Sequence, residues 1–317
     1  MNTHPKGSLA PQLLPIGRWV WQRLPARLLA SRPMRRLNRE IYDRYVRHTE
    51  RYQTHFTWFV RNPPQLALIT DLIFSSRPAG TTLRVMSVGC SVGAELYSLL
   101  WLIRRVQPDI SIDARGIDIV PDAVASARQA TYRLELPSSC GGTLRIEGRN
   151  VLSTSAEAIG EIFEVRSNGV YVVRDAIRAG STWYVGNAAD PALRDAHGLQ
   201  DVVLACNFLG PMEPGMADSC LRNVAALVIP GGYLVVDGVD LGVKARVLKQ
   251  LGFVPITEDA QCIHEADPTK RDWPWSRWSL EPFDDSRADW PYRYVTIFQR
   301  PCRWIVHDGL AGRPWPP

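Results

Sequence analysis

From residue 83 onward, apolar runs of strand length alternate with stretches of helical period. Leu83-Arg84-Val85-Met86-Ser87-Val88 reads as a buried strand ending at Gly89. Gly93 to Arg105 reads as a helix whose apolar face is Leu96, Leu99, Leu100 and Ile103. Ile110 to Ile117 is a second strand, closed by Asp118, and Pro121 to Ala130 is a helix opened by proline. Strands are predicted again at Thr182–Val185, Asp201–Cys206 and Tyr233–Asp237, with helices over Gly215–Val228 and Gly242–Leu251. This alternation predicts an α/β domain built on a parallel sheet with helices on both faces. Upstream, Ile41, Tyr45 and His48 predict a helix from Asn38 to Tyr52. Asn62-Pro63-Pro64 opens another, with Leu66, Ile69, Leu72 and Ile73 inward.

The stretch from Leu134 to Gly180 breaks the alternation. Phe163-Glu164-Val165 and Val170-Tyr171-Val172-Val173 flank Asn168-Gly169, a strong hairpin signal, so a small antiparallel insertion is expected between the second and third parallel strands. Near the C-terminus, Trp273, Trp275, Trp278 and Trp290 occur with Pro274, Pro282 and Pro291, which predicts a long loop before a strand Tyr292–Phe298. Those tryptophans either line a pocket for an apolar acceptor or cover the sheet edge. The expected organisation is a leader (1–39), a helical segment (40–80), the α/β domain (81–300) with its insertion at about 134–181, and a tail (301–317).

Composition narrows the class. With 45% hydrophobic and 22% charged residues, the 317-residue chain has enough apolar material for a large core, which excludes disorder for the chain as a whole. Its 23 glycines and 24 prolines show no repeat period, which excludes a collagen-like chain. The longest apolar candidate, Val224 to Val236, is interrupted by Pro230-Gly231-Gly232 and is too short to span a bilayer. Six separated cysteines without a Cys-x-x-Cys pair predict reduced, cytoplasmic thiols and no metal site.

The net charge of +5 is unevenly placed. Residues 1–39 hold Lys6 and seven arginines and no acid, so residues 40–317 carry 29 basic and 32 acidic groups, a net −3. A body of that sign does not suit nucleic acid. The leader mixes its arginines with Leu13, Leu14, Trp19, Val20, Trp21, Leu24, Leu28 and Leu29, while Pro11, Pro15, Pro25 and Pro33 forbid one long helix. Three readings of it stay open: a peripheral contact with a membrane or another anionic surface, an organellar transit segment, or an arm packing its tryptophans on the main domain.

Candidate chemistry sits at the first strand-to-helix turn, Ser87-Val88-Gly89-Cys90-Ser91-Val92-Gly93-Ala94-Glu95. Glycines there let the backbone approach a ligand, and the helix N-terminus offers unpaired N–H groups. The Gly89-x-x-x-Gly93 spacing does not satisfy the dinucleotide fingerprint, and Asp118 is placed to accept hydrogen bonds from ribose hydroxyls. These features are common to S-adenosylmethionine (SAM) and NAD sites, and a bare tight turn would also produce the glycines.

More of the chain separates these options. From about Thr54 to Asp237 it resembles the CheR family of SAM-dependent chemotaxis-receptor methyltransferases. Gly93-Ala94-Glu95-Leu96-Tyr97-Ser98 is similar to the family's Gly-Glu-Glu-Pro-Tyr-Ser, Gly116-Ile117-Asp118-Ile119 to its ribose-binding strand end, and Ala127-Arg128-Gln129-Ala130-Thr131-Tyr132 to its Ala-Arg-x-x-x-Tyr pattern. Thr57-Trp58-Phe59-Val60-Arg61 resembles Thr-x-Phe-Phe-Arg, Asn187-Ala188-Ala189-Asp190 resembles Asn-Leu-Leu-Asp, and Asp201 to Asn207 resembles the family's fourth strand. The resemblance implies a Rossmann-like methyltransferase fold with a mostly parallel seven-stranded sheet, and SAM as cofactor. It implies that Thr57, Arg61 and Glu95 meet the methionine end, Asp118 the ribose and Asn187-Ala188 the adenine. Gly89, Gly93, Cys206 and Asn207 complete the implied shell.

The chain departs from the family at the acceptor side. Cys206 replaces an arginine, Pro211 replaces a tyrosine close to the transferred methyl, and Ala94 replaces the first glutamate. The expected activity is therefore methyl transfer to an oxygen or nitrogen of a small molecule or a non-receptor protein, with a small molecule favoured. Receptor glutamate methylation and non-catalytic SAM binding are the alternatives. A carboxylate acceptor needs no base, whereas an alcohol or phenol does. Arg61, Glu213 and His264 are the residues assigned to the reacting end, and His55 is a further candidate base.

Overall fold

Why the first turn sits where it does follows from the strands that feed it. A computed structural model describes residues 10–29, 31–46, 57–76, 80–135, 143–146, 149–152, 156–166, 169–267, 273–276 and 280–302. Its strands in chain order are β1 (Thr57–Trp58), β2 (Leu83–Val88), β3 (Ile112–Asp118), β4 (Thr131–Glu135), β5 (Thr143–Ile146), β6 (Arg149–Leu152) and β7 (Phe163–Arg166). They continue with β8 (Val170–Val173), β9 (Ser181–Val185), β10 (Gln200–Cys206), β11 (Val228–Asp237), β12 (Val254–Pro255) and β13 (Ile297–Gln299).

Seven of them form one sheet in the order β12-β13-β11-β10-β2-β3-β9. The five central and β9-side strands run parallel, and β13 pairs antiparallel with both β11 and β12. Each central strand buries both faces, so its side chains divide by parity. Val85, Val202, Leu204, Tyr233 and Val235 enter one core with Ile69, Leu96 and Leu100, whereas Met86, Val203, Leu234 and Val236 enter the other with Leu221, Val224 and Val247. This is the two-faced α/β architecture expected from the alternating pattern. β11 begins earlier than predicted. Pro230-Gly231-Gly232 is absorbed by a register break, Gln200 pairing with Val228 and Val202 with Tyr233, and Gly231 takes a positive φ.

The insertion is a second sheet, β1-β6-β5-β4-β8-β7, antiparallel except at its β1 edge. The hairpin Phe163–Arg166/Val170–Val173 forms with the register Phe163↔Val173, while Asn168 lies outside the described residues. β1 is recruited from upstream of the parallel sheet, Thr57 pairing with Val151. The Phe59 ring packs edge-on against Tyr132 and Phe163, so the insertion fixes the Thr57–Arg61 segment in place.

Two predicted elements differ. The helix expected over Asn38–Tyr52 starts earlier, covering Arg32–Ile41 and a π-helical turn Tyr42–Val46, with Pro33 in its first turn; residues 47–52 of that expectation lie outside the described residues. The strand expected over Tyr292–Phe298 is a helix Trp290–Tyr294 followed by β13, because Pro291 favours a first helical turn over the β propensity of its aromatic neighbours. The leader is broken into helices Ala10–Trp21, Ala26–Leu29 and Arg32–Ile41. It packs on the C-terminal segment through Trp21 against Trp275, Tyr42 against Trp273, and Arg35 and Arg39 towards Asp284. Among the described residues no helix is long and apolar enough to cross a membrane.

Candidate active site

The turn after β2 is built by residues that can take positive φ. Gly89 has φ +68°, and a Cβ there would lie 2.6 Å from the Phe208 ring. Ser91 also takes the left-handed region, at φ 48°. Asp118, at the end of β3, fixes the turn: one carboxylate oxygen accepts from Ser91 N at 2.7 Å and the other from Val120 N at 3.0 Å. Gly93 does something else than predicted. At φ +88° its missing Cβ leaves room for Trp183, at 2.7 Å, with Tyr97 and Ala127 just beyond. It seats the helix Ala94–Val106 on the sheet and does not line the cleft.

A cleft enclosing about 770 Å³ of non-atom space, its open mouth included, lies outside the C-terminal ends of β2, β3 and β10. Ligands of open α/β sheets bind there. Thr57, Gly89, Glu95, Asp118, Asn187, Ala188, Cys206 and Asn207 all line it, so eight of the ten residues expected around the cofactor converge from five separate segments. Gly93 and Arg61 are the two that do not. The Asn187–Asp190 loop is locked by its own side chains: Asn187 Oδ1 accepts from Ala189 N and Asp190 Oδ1 from Ala192 N, both at 2.9 Å. Asn207 is held at φ 61°, its Nδ2 donating to Asp237 Oδ1 at 3.1 Å. Phe208, Pro211, Met212 and Ile119 form an apolar wall.

Arg61 borders a smaller adjoining cavity that shares Glu95 and Cys206 with the cleft. Its guanidinium is buried and lies over the Trp58 ring, 3.6 Å from Glu95 and 3.6 Å from Asp267. Neither terminal nitrogen has a hydrogen-bond partner, and the same holds for the buried Ser91 Oγ on the cleft wall. Gln65 Nε2 links Asp237, at 3.4 Å, to Thr296 Oγ1, at 2.7 Å. Burial pushes Glu95 up to about 8 from the ordinary 4.5, against the pull of Arg61. Asp237 is raised for the same reason, and burial together with Asp237 and Glu95 pushes the Cys206 thiol well up. For Arg61, burial lowers the value, but Asp237, Asp267 and Glu95 together hold it above the ordinary arginine range.

Sequence reasoning missed Ser91, Gln65, Asp237 and Asp267. Asp237 had a signal, since it ends a parallel strand as Asp118 does; Asp267, which follows the short helix Ala260–Ala266, had none.

His264 and Glu213 are not brought to the cleft. His264 is 2% exposed, its Nε2–H donates to the Glu281 carbonyl at 2.8 Å, and its ring packs on Tyr294 and Phe283. That setting is structural, because a ring enclosed by aromatics cannot reach a reacting atom. Glu213 is exposed at the head of the helix Pro214–Ala226, beyond the Met212 wall. His55 and Trp278 lie outside the described residues. Trp273 and Trp275 pack on the leader and Trp290 on Phe283, so none of these three lines the cleft. Among the described residues no group of three His, Cys, Asp or Glu side chains could hold a metal ion.

Comparison with known proteins adds identity to this geometry. Residues 55–245 match the model of the CheR methyltransferase SAM-binding domain. A protein of Pseudomonas putida named "Probable biofilm formation methyltransferase WspC" is 28% identical over 67% of this chain and 47% of its own length. The protein of that name in Pseudomonas aeruginosa is 24% identical over 63% of this chain and 44% of its own length. The chain thus spans about half the length of the curated relatives it matches. Among solved structures, a TehB-like SAM-dependent methyltransferase from Corynebacterium glutamicum aligns at a TM-score of 0.37 with 15% identity, covering 75% of this chain and 93% of the other. The chain belongs to the CheR methyltransferase family, with its SAM-binding domain over residues 55–245.

Proposed function

We propose that this member of the family transfers the methyl group to a carboxylate oxygen, and that the carboxylate is a glutamyl side chain of a protein. One observation carries the reading: among the described residues, the cleft presents no side chain free to act as a base. Its titratable lining groups are Glu95, Asp118 and Cys206. Asp118 is occupied by two backbone amides, Glu95 faces the Arg61 guanidinium, and the Cys206 thiol is held protonated by burial. An alcohol, phenol or ammonium acceptor would need a proton removed; a carboxylate is already ionised.

The buried groups fit the methionine and nucleoside ends of SAM. On this reading Asp118 accepts from the ribose hydroxyls, Asn187 and Ala188 border the adenine, and Thr57, Glu95 and Asn207 meet the methionine portion. Arg61 and Asp237 act behind them, holding Glu95 and Asn207 in place. Ser91 Oγ, buried and unpartnered on the cleft wall, supplies a further hydroxyl to the same ligand. The cofactor, when bound, supplies a methyl group on a positively charged sulfur.

The chain's own contribution is alignment. With SAM held in the cleft, a carboxylate oxygen entering past Phe208, Pro211 and Met212 would form its O–CH₃ bond as the S–CH₃ bond broke, the electron pair of that bond staying on sulfur. An anion and a cation become two neutral products, and no proton moves. An apolar wall favours such charge annihilation, since the separated charges are less well solvated there than in water. Pro211 in place of the family's tyrosine widens the acceptor side, and this favours a small-molecule carboxylate as a second reading.

The test uses SAM labelled in its methyl group with a lysate of the native host. Carboxyl methyl esters release volatile methanol in mild alkali, whereas ethers and methylamines keep their label. Alkali-labile label in the protein fraction is the expected result. Label of that kind confined to the small-molecule fraction selects the second reading, and alkali-stable label in either fraction rejects both.

A further inference from the structure

We propose that the N-terminal arm is a peripheral membrane-binding device that docks the enzyme on anionic lipid surfaces. The helix Ala10–Trp21 has two differently used faces. One is committed to the protein: Gly17 packs so closely that a Cβ would lie 2.6 Å from the Trp275 ring, and the Trp21 ring meets the same tryptophan edge-on at 6.3 Å. The other presents Ile16, Trp19 and Val20, which are 60%, 56% and 45% exposed, at the i, i+3, i+4 spacing of a single stripe.

Arg23 continues that stripe one turn on. Its guanidinium lies 3.8 Å over the Trp19 ring and donates to the Trp19 carbonyl at 3.1 Å. Leu28 and Leu37, on the next two helices, are also exposed, among the exposed Arg27, Arg32 and Arg36. Soluble surfaces seldom present a tryptophan and several aliphatic residues so close together.

Charge selects the occupant. Residues 1–39 hold eight basic groups and no acid, whereas the rest of the chain is net negative. Clusters of this size beside an amphipathic helix suit an anionic bilayer surface, where tryptophan sits at the headgroup level and arginine reaches the phosphates. A protein partner would require a shaped groove. The exposed apolar residues here instead run from the Ile16-Trp19-Val20 stripe over the next two short helices, interleaved with arginine, which a fluid lipid surface accommodates. Because Trp21, Tyr42, Arg35 and Arg39 hold the arm to the C-terminal segment, docking would bring the catalytic domain with it.

The test is co-sedimentation of the full chain with phosphatidylcholine vesicles, with and without phosphatidylglycerol. Pelleting is expected only with the anionic lipid, and should weaken as salt is raised. Trp19→Ser should weaken partitioning about tenfold. Each of Arg18→Gln, Arg23→Gln and Arg27→Gln should weaken it roughly fivefold. All four are surface changes, and SAM affinity measured on the same samples certifies that the variants are folded. Failure to pellet, equal pelleting with neutral vesicles, or pelleting that ignores both Trp19 and the arginines would overturn the proposal. If vesicles are not bound but Trp19→Ser raises KM for a protein acceptor, the face belongs to a protein and the lipid assignment falls.

Discussion

The two ends of the cleft solve the same problem, holding polar groups out of water, in opposite ways. At the end proposed to take the ribose, Asp118 is satisfied by two backbone amides, and the turn around it is fixed by Gly89 and Ser91. At the end proposed to take the methionine part, the Arg61 guanidinium, without a hydrogen-bond partner on either terminal nitrogen, stands among Glu95, Asp267 and Asp237. The first end is complete before any ligand arrives. In the second, Glu95, Asp237 and Asp267 share the Arg61 guanidinium, and on the proposed reading the ammonium group of the ligand adds positive charge there. Shape is thus preorganised at one end and charge is left open at the other, which lets a single cleft combine a rigid nucleoside seat with an electrostatic requirement for the amino-acid part.

The largest expected effect comes from removing Arg61. Arg61→Leu leaves the buried Asp237 and Asp267, and Glu95 on the cleft wall, without that guanidinium and should cost about 3–5 kcal/mol of stability in urea unfolding. Adding Asp267→Asn to that variant removes one of the acids that lost its partner and should restore part of the loss. A single substitution that costs less than about 1 kcal/mol, the range of a surface pair, would show that the cluster is solvated and the contrast between the ends is false.

Next in size is the rigid end. Asp118→Ala removes the acceptor that anchors Ser91 and Val120 and, on the proposed reading, the ribose. A lost hydrogen bond to a charged group is worth roughly 1.5–3 kcal/mol, or about 10- to 150-fold in SAM affinity by titration calorimetry. Unchanged affinity would remove Asp118 from the site.

The rigid end was also the legible one. Gly89 and Asp118 stand at strand ends, and that position alone carries their meaning in an α/β fold. The cofactor shell was read from short motifs because each motif is local: Asn187–Asp190 ties itself into a turn, and Glu95 follows the glycine turn directly. The charge cluster was not local. Arg61, Glu95, Asp237 and Asp267 come from four distant parts of the chain, and nothing in the pattern around Asp267 marks it as buried. Pairing of Thr57 with Val151 is likewise invisible to any window of residues. His264 misled because a histidine beside a glutamate suggests catalysis, whereas the fold encloses it between Tyr294 and Phe283. Gly93 misled in a milder way: its positive φ was legible, but the ring of Trp183 that fills its space comes from β9.

The smallest effect, at each step of pH, is also the one that tests the open end without altering Arg61. In the folded chain Glu95 is raised to about 8, first by burial and then by Asp237 and Asp267, against Arg61. A carboxyl raised on folding binds its proton more tightly in the native state. Its stabilising contribution is therefore fully present below the ordinary value of about 4.5 and is lost as pH rises through the raised one. Ligand-free protein should lose stability between about pH 5 and 8, by at most about 1.4 kcal/mol per unit for this group. Glu95→Gln should flatten the slope, leaving the share of Asp237, which is raised in the same direction. SAM should reverse the trend for the wild type, because an ammonium group beside Glu95 favours the ionised form and ties affinity to proton release. Melting temperatures across that window, with and without SAM, for the wild type and Glu95→Gln, measure all four slopes. Parallel slopes in the two proteins would mean that Glu95 does not hold the proton, and that the charge deficit at the methionine end is met elsewhere in the cluster.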